Sequence, residues 1–230
     1  GQRMRASASH AIKAEEDSLI YTIAKVDPAA GERLLLHVTS ELEEQEVAQV
    51  NVSCSAFRRY NLSLGMKMNE LTLERLKGLG EYEKAVLKGM QLLGYGANSR
   101  KRIEEKLTRW GFDPELARQA SVYLEQENYI DEKGDAERLC ESMLKKGYGP
   151  RRVLAALREK GYSDEAAAVA RHILYHTDIA GNCALVFRKK IRKLPESRAE
   201  TQKVLAKLTA LGYNIPEIKE ALRRVSQETR

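Results

Sequence analysis

The sequence predicts a mainly helical protein: three tandem three-helix repeats in an elongated, curved array, preceded by a small β-hairpin or β-sheet segment. Three observations predict it. Apolar residues alternate or cluster in short runs before residue 70 and follow a helical period after it. Leu107 followed by Gly111-Phe112 recurs as Leu157 with Gly161-Tyr162 and Leu208 with Gly212-Tyr213, at offsets of 50 and 51 residues. The same offsets carry Ile103 onto Val153 and Val204, and Met90 onto Cys140 and Ile191.

Residues 1–17 hold Arg3, Arg5, Lys13, Glu15, Glu16 and Asp17 without an apolar stretch, and are expected to form a flexible N-terminus rather than a secretory signal. The β segment is placed at 18–70. Leu19 to Val26 alternates in part, Leu34 to Val38 is an apolar run, and Val47, Val50 and Val52 alternate again. Asp27, Pro28 and Gly31 are turn formers, which predicts a hairpin loop of five or more residues between the first two strands.

The helical repeats are placed at 71–132, 133–177 and 178–230. Ala136, Leu139, Cys140, Met143 and Leu144 draw one apolar stripe, and Ala166, Val169, Ala170, Ile173 and Leu174 draw another. Between them Val153, Leu154 and Leu157 mark a short middle helix that the glycine-aromatic pair ends, because glycine takes the left-handed conformation at C′. Asp113-Pro114, Ser163 and Asn214 then announce the third helix of each unit. Such units bury their stripes by stacking, and this favours the extended array over a compact bundle with ancestral repeats.

Net charge is +6. Through Lys84 there are 11 basic and 13 acidic residues, and from Ala85 onward 28 and 20, so the excess belongs to the repeats and points to a polyanionic partner. Arg188, Lys189, Lys190, Arg192 and Lys193 place five charges in six residues, with Lys203 and Lys207 one helix later. These read as a phosphate-binding patch, or as a solvated helix end with favourable terminal charge. Lys145, Lys146, Arg151 and Arg152 flank the turn before the middle helix of the second repeat, and the offset puts Lys101 and Arg102 at equivalent places in the first. They read as contacts to DNA or to acidic protein, or equally as structural residues.

Other chemistry is thin. His172 and His176 have the i, i+4 spacing of two metal ligands but no third partner at a recognisable interval. Gly94-Tyr95-Gly96 and Gly147-Tyr148-Gly149 lack the Lys-Ser/Thr of a phosphate loop. No catalytic motif is present, so a non-enzyme without cofactor or metal is expected. Tyr148, Tyr162 and Tyr213 sit beside glycines and read as local packing. Cys54, Cys140 and Cys183 are odd in number and unpaired in spacing, which suits reduced thiols in the cytoplasm.

Asn128-Tyr129-Ile130-Asp131-Glu132, Asp135-Ala136, Lys146-Gly147-Tyr148-Gly149-Pro150-Arg151-Arg152-Val153 and Leu157-Arg158-Glu159-Lys160-Gly161-Tyr162 together resemble the central signature of the RecX family. Ser99-Arg100-Lys101 with Lys106-Leu107 and Gly111-Phe112 looks like its first-repeat motif, and Leu62-Ser63-Leu64-Gly65-Met66 after the strands looks like the β segment of longer members. The likeness covers about 18–225 and is weak in the third repeat. Gly94 to Asn98 stands where relatives carry an arginine-containing segment, and Lys133-Gly134 where they carry an aromatic residue. The resemblance implies a modulator of the RecA recombinase that binds the RecA-DNA filament, with single- and double-stranded DNA as contacts and no membrane, acts as a monomer, and restrains ATP hydrolysis, strand exchange and coprotease activity. The alternative is a sequence-neutral DNA-binding repeat protein or transcription factor that acts without RecA.

Overall fold

The computed structural model describes residues 20–42 and 45–228; the expected flexible stretch 1–17 lies outside the described residues. The described residues are mostly helical, with one small antiparallel sheet ahead of the helices. They fall into two compact units, one running to Lys88 and including Phe112–Ala120, the other made of Gly89–Gly111 and Ser121 onward.

In the first unit, β1 (Ile20–Ala29), β2 (Arg33–Ser40), β3 (Glu46–Ser53) and β4 (Lys67–Asn69) form a sheet in the order β3-β2-β1-β4. Strand alternation turns Ile23, Leu36, Val38, Val50, Val52 and Met68 to one face. There they pack with Ala56 of helix α1 (Cys54–Arg59) and with Leu73 and Leu76 of α2 (Glu70–Gly94). Half-buried Glu83 on α2 ties the helix to the sheet: it accepts from the Ser53 amide and hydroxyl, both at 2.7 Å, and from Arg33 at 3.2 Å.

Two features of this unit differ from the sequence reading. The first hairpin is tight, because β1 runs on through Asp27 and Pro28 to pair Ala29 with Arg33. Pro28 is tolerated because β4 pairs only with Ile20–Thr22, so farther along β1 has an open edge where a missing N–H costs nothing. Gly31 and Glu32, at φ 74° and 55°, close the loop. β4 and α1 were not expected, since three residues with one apolar member show no period.

The remaining helices are α3 (Arg100–Arg109), α4 (Pro114–Gln126), α5 (Glu132–Lys145), α6 (Pro150–Glu159), α7 (Asp164–Tyr175), α8 (Ile179–Lys190), α9 (Arg198–Ala210) and α10 (Ile215–Glu228). The recurrent apolar positions are the core: Ile103, Leu107, Val153, Leu157, Val204 and Leu208 are all buried. The glycine-aromatic stops close as read. In α6, Gly161 N donates to Arg158 O and Tyr162 N to Leu157 O; in α9, Gly212 donates to Thr209 and Tyr213 to Leu208. This is the Schellman pattern, with φ +74° and +101° at the two glycines.

The repeat is less regular than the 51-residue offset suggests. Asp131 caps α5 by accepting from Gly134 N, and Asp178 caps α8 by accepting from Gly181 N. Matching these caps registers α8 on α5 at an offset of 47, so fully buried Cys140 corresponds to fully buried Phe187 and not to Ile191, which lies past the end of α8. The lost turn is recovered in the longer α8–α9 connection and in the extra turn at the start of α9.

Candidate nucleic-acid interface

Successive repeats meet at a recurring joint, and four of the predicted cations, Lys101, Arg102, Arg151 and Arg152, lie at it. The turn leading into α3 docks on the turn leaving α6: Ser99 Oγ donates to Lys160 O at 2.7 Å and Arg102 Nη2 to Glu159 O at 3.2 Å. One repeat later the turn leading into α6 docks on the turn leaving α9. Gly149 N donates to Leu211 O at 2.8 Å, Arg151 N to Gly212 O at 3.1 Å, and Arg152 Nη1 to Ala210 O at 3.4 Å. Arg102 and Arg152 thus occupy equivalent sites for the same physical reason: the last carbonyls of a helix lack intrahelical partners, and a cation satisfies them. Arg102 also pairs with Glu105 at 3.1 Å, and Arg152 lies 5.0 Å from the Tyr148 ring centre. Lys101 and Arg151, beside them, are exposed and have no carboxylate partner among the described residues.

Glu132 secures the first joint from beneath. Almost fully buried, it accepts from Arg100 N at 2.7 Å through one oxygen and from Ser163 N at 2.9 Å through the other, so one carboxylate holds the starts of α3 and α7. The sequence carried Glu132 only as part of a family signature; its bridging role had no local signal. At Gly134 a Cβ would sit 2.0 Å from the Asp131 carboxylate that caps α5, so glycine leaves that cap undisturbed.

The exposed lysines gather where α5 and α8 end. Lys145 and Lys146 from the second repeat line one groove of about 230 Å³ with Lys189 and Lys190 from the third. Close approach makes the groove possible, since a Cβ on Gly147 would lie 2.7 Å from Val186. Lys207 Nζ donates to Lys190 O at 3.3 Å, and one turn farther along α9 Ala210 O receives Arg152. Lys145, Lys146, Lys189 and Lys190 thus share one groove, with Lys207 against the end of α8 and Arg152 against the end of α9, and none of the five lysines has a carboxylate partner among the described residues.

The rest of the charge run disperses, because consecutive residues of a helix point about 100° apart. Arg188 pairs with Glu228 on α10, Lys193 with Glu196 at 3.0 Å, and Arg192 is exposed past the helix end with φ +71°. Lys203 is exposed one turn before Lys207. Arg224 joins Asp178 at 2.7 Å and Glu220 at 2.9 Å and lines one pocket with Arg188 and Glu228. The guanidiniums of Arg223 and Arg224 hold the Glu220 carboxyl down at about 2, and Arg224 with the Gly181 amide lowers Asp178.

The other sequence candidates are packing or surface groups. Tyr213 is fully buried and donates to Gly147 O at 3.3 Å; burial raises its phenol, and raises that of Tyr162 to about 12. His172 and His176 are exposed with ring centres 4.5 Å apart, and among the described residues no group of three His, Cys, Asp or Glu is placed to hold a metal. All three cysteines are free thiols. No described helix is long and apolar enough to cross a membrane.

No family model matches the chain. Among curated proteins it is 29% identical over 151 residues to the regulatory protein RecX of Chlorobaculum tepidum, covering 65% of this chain and 92% of that one. It is 30% identical over 139 residues to the regulatory protein RecX of Stenotrophomonas maltophilia, covering 60% of this chain and 85% of the relative. The chain belongs to the RecX family. A longer alignment, 198 residues at 22% identity, reaches RecX of Clostridium botulinum and covers 80% of this chain. A crystal structure of regulatory protein RecX shares the fold at a TM-score of 0.69 over 87% of this chain, and that of RecX from Lactobacillus salivarius at 0.55 over 64%, each at 20% identity. The recurrent joint between the repeats is thus built in a RecX-family chain, from residues of the signature that suggested the family.

Proposed function

We propose that this chain is a non-enzymatic, cytoplasmic modulator that acts as a monomer on the RecA-DNA filament and restrains ATP hydrolysis, strand exchange and coprotease activity. One observation supports the placement of the contact: four lysines from two repeats, free of carboxylate partners among the described residues, converge on one groove, with Lys207 against the end of the helix that carries Lys189 and Lys190. Lysines so placed exchange condensed counterions for contact with a phosphate backbone, on single- or double-stranded DNA, in a sequence-independent way. Lys101, Arg102, Arg151, Arg188, Arg192, Lys193 and Lys203 are subsidiary: several already hold carbonyls or carboxylates and supply field more than direct contact.

The test is a charge reversal of Lys145, Lys146, Lys189 and Lys190 to Glu. Affinity for single-stranded DNA should lose about three units of its log-log salt slope, at roughly 0.7 per phosphate released. RecA-dependent ATP hydrolysis on single-stranded DNA, inhibited by the wild type at or below stoichiometry, should proceed in its presence. Inhibition that survives the reversal would move the contact elsewhere. A second reading rests on the same lysines, which serve naked DNA equally well: a sequence-neutral DNA binder independent of RecA. Pulldown of RecA with and without DNA and nucleotide separates the two, since only the filament regulator retains RecA.

A further inference from the structure

The third repeat carries a second cavity beside the lysine groove. It measures about 320 Å³, and Asn182, Leu185, Arg188, Arg224, Asp178 and Glu228 line it. Asn182 and Leu185 also line the groove, so the two depressions share a wall on α8. Both cations of the cavity are engaged, but not equally. Arg224 is tied at two places, to Asp178 at 2.7 Å and to Glu220 at 2.9 Å, and Asp178 is itself fixed by capping α8 at Gly181 N. The Arg188 guanidinium is held by one group among the described residues, the carboxylate of Glu228 at the end of α10. Both partners are accessible to solvent, their side chains 37% and 64% exposed. The Asn182 side-chain amide, in the shared wall, has no hydrogen-bond partner among the described residues.

An exposed ion pair is ordinary, weak and screened by salt, and by itself it marks no site. Its position gives this one a different weight. A polyanion seated among Lys145, Lys146, Lys189 and Lys190 already touches the wall that bounds the second cavity. Arg188 presents there a planar fork of donors that matches a phosphate as well as a carboxylate. A phosphodiester arriving from the groove therefore competes with Glu228 for the same donors. Glu228, on a long side chain at a helix end with one partner, is the group that gives way, whereas Asp178 cannot leave Arg224 without leaving its cap. A small free anion gains nothing from the groove, so the arrangement favours a strand.

We propose that Arg188, Asn182 and Arg224 form a second phosphate site that continues the lysine groove across α8, and that Glu228 occupies it as a built-in competitor until a strand displaces it. The inference rests on the reading of the groove as a DNA contact, and it gives Arg188 a direct part once its carboxylate leaves. Neutralising Glu228 should thus unmask one phosphate contact. At roughly 0.7 per phosphate in the log-log salt dependence of a single strand, that contact amounts to about fivefold in affinity at about 0.1 M salt relative to 1 M.

A double-mutant cycle separates masking from the general effect of charge. Labelled oligothymidylate and labelled polyglutamate are titrated by anisotropy against four forms of the full chain: wild type, Glu228→Gln, Arg188→Gln and the two together. Both side chains are exposed, so the four forms fold alike. Glu228→Gln should tighten oligothymidylate about fivefold at about 0.1 M salt and steepen its salt slope by about 0.7. Arg188→Gln should weaken oligothymidylate about fivefold more when Glu228 has been replaced than when it is present. If Arg188→Gln costs the same factor in both backgrounds, the two charges act only through the general field and the masked site is overturned while DNA binding stands. Polyglutamate that gains as much as oligothymidylate from Glu228→Gln overturns the assignment to phosphate. Absence of any anisotropy change when the wild type meets oligothymidylate overturns the DNA-binding reading itself.

Discussion

Gly149→Ala is the sharpest test of the joint between the second and third repeats. Gly149 has φ −88° and ψ 172°, extended backbone that any residue adopts and that suits the position before Pro150, so conformation does not require glycine there. Proximity does. A Cβ would lie 2.5 Å from Gly212 C, 2.6 Å from its oxygen and 2.6 Å from Tyr213 N, all backbone atoms that no rotamer change can move aside. To restore ordinary contact the two turns must part by about 1 Å, enough to break Gly149 N to Leu211 O at 2.8 Å and Arg151 N to Gly212 O at 3.1 Å. Two hydrogen bonds at about 1 kcal/mol each, with about 1–3 kcal/mol of overpacking strain, give a loss of about 3–5 kcal/mol, or a melting point lower by roughly 10 °C for a chain of this size. Urea and thermal denaturation followed by circular dichroism read this directly. Gly78→Ala is the control: its Cβ meets open space within a helix, and it should leave stability unchanged or raise it by up to about 1 kcal/mol. If Gly149→Ala melts together with the wild type, the two turns are not in the close contact described.

Glu132→Gln keeps shape but turns one of two accepting oxygens into a donor facing a main-chain N–H; urea denaturation should show a loss of about 2–3 kcal/mol, and a neutral result would remove the double cap. In the native protein a thiol reagent at pH 8 should modify half-buried Cys54 only. Burial raises Cys140 to about 11 and Cys183 to about 12, so prompt labelling of more than one thiol before denaturant is added would contradict the packing. Acid should loosen the hold of α10 on the start of α8. Glu220 and Asp178 have folded values below their ordinary 4.5 and 3.8, so their contribution is complete above that range and disappears as pH falls toward about 2. Amide protection factors in α10, the exchange rates corrected for their intrinsic pH dependence, should fall between pH 5 and 2, and Arg224→Leu should flatten that dependence; an unchanged profile in the variant would exclude the ion pairs as its cause.

Legibility tracked the range of the interaction. Leu157, Gly161 and Tyr162 could be read because a Schellman stop is made by residues within one turn of each other, and Ser163 as a cap for the same reason. Pro28 misled because its tolerance in β1 depends on how far β4 extends, a fact set some 40 residues away. Ile191 misled because the caps of α8, and not the spacing of the later helices, fix its register. Among the cations, the recurrence of Arg102 and Arg152 was visible while its cause was not: both answer to carbonyls 57 and 58 residues downstream. The run from Arg188 to Lys193 looked like one patch because linear proximity hides rotation around a helix axis. The meeting of Lys145 and Lys146 with Lys189 and Lys190 depends on a glycine contact between two helices that no local pattern displays.

The lysine groove straddles a seam: one bank comes from the second repeat and the other from the third. Its two banks are therefore brought together by contacts between backbones and small side chains, Gly147 against Val186 and, two residues on, Gly149 against Gly212. A substitution that parts the turns at Gly149 moves one bank relative to the other without touching a lysine, so a fault in packing there is also a fault in how the cations are spaced.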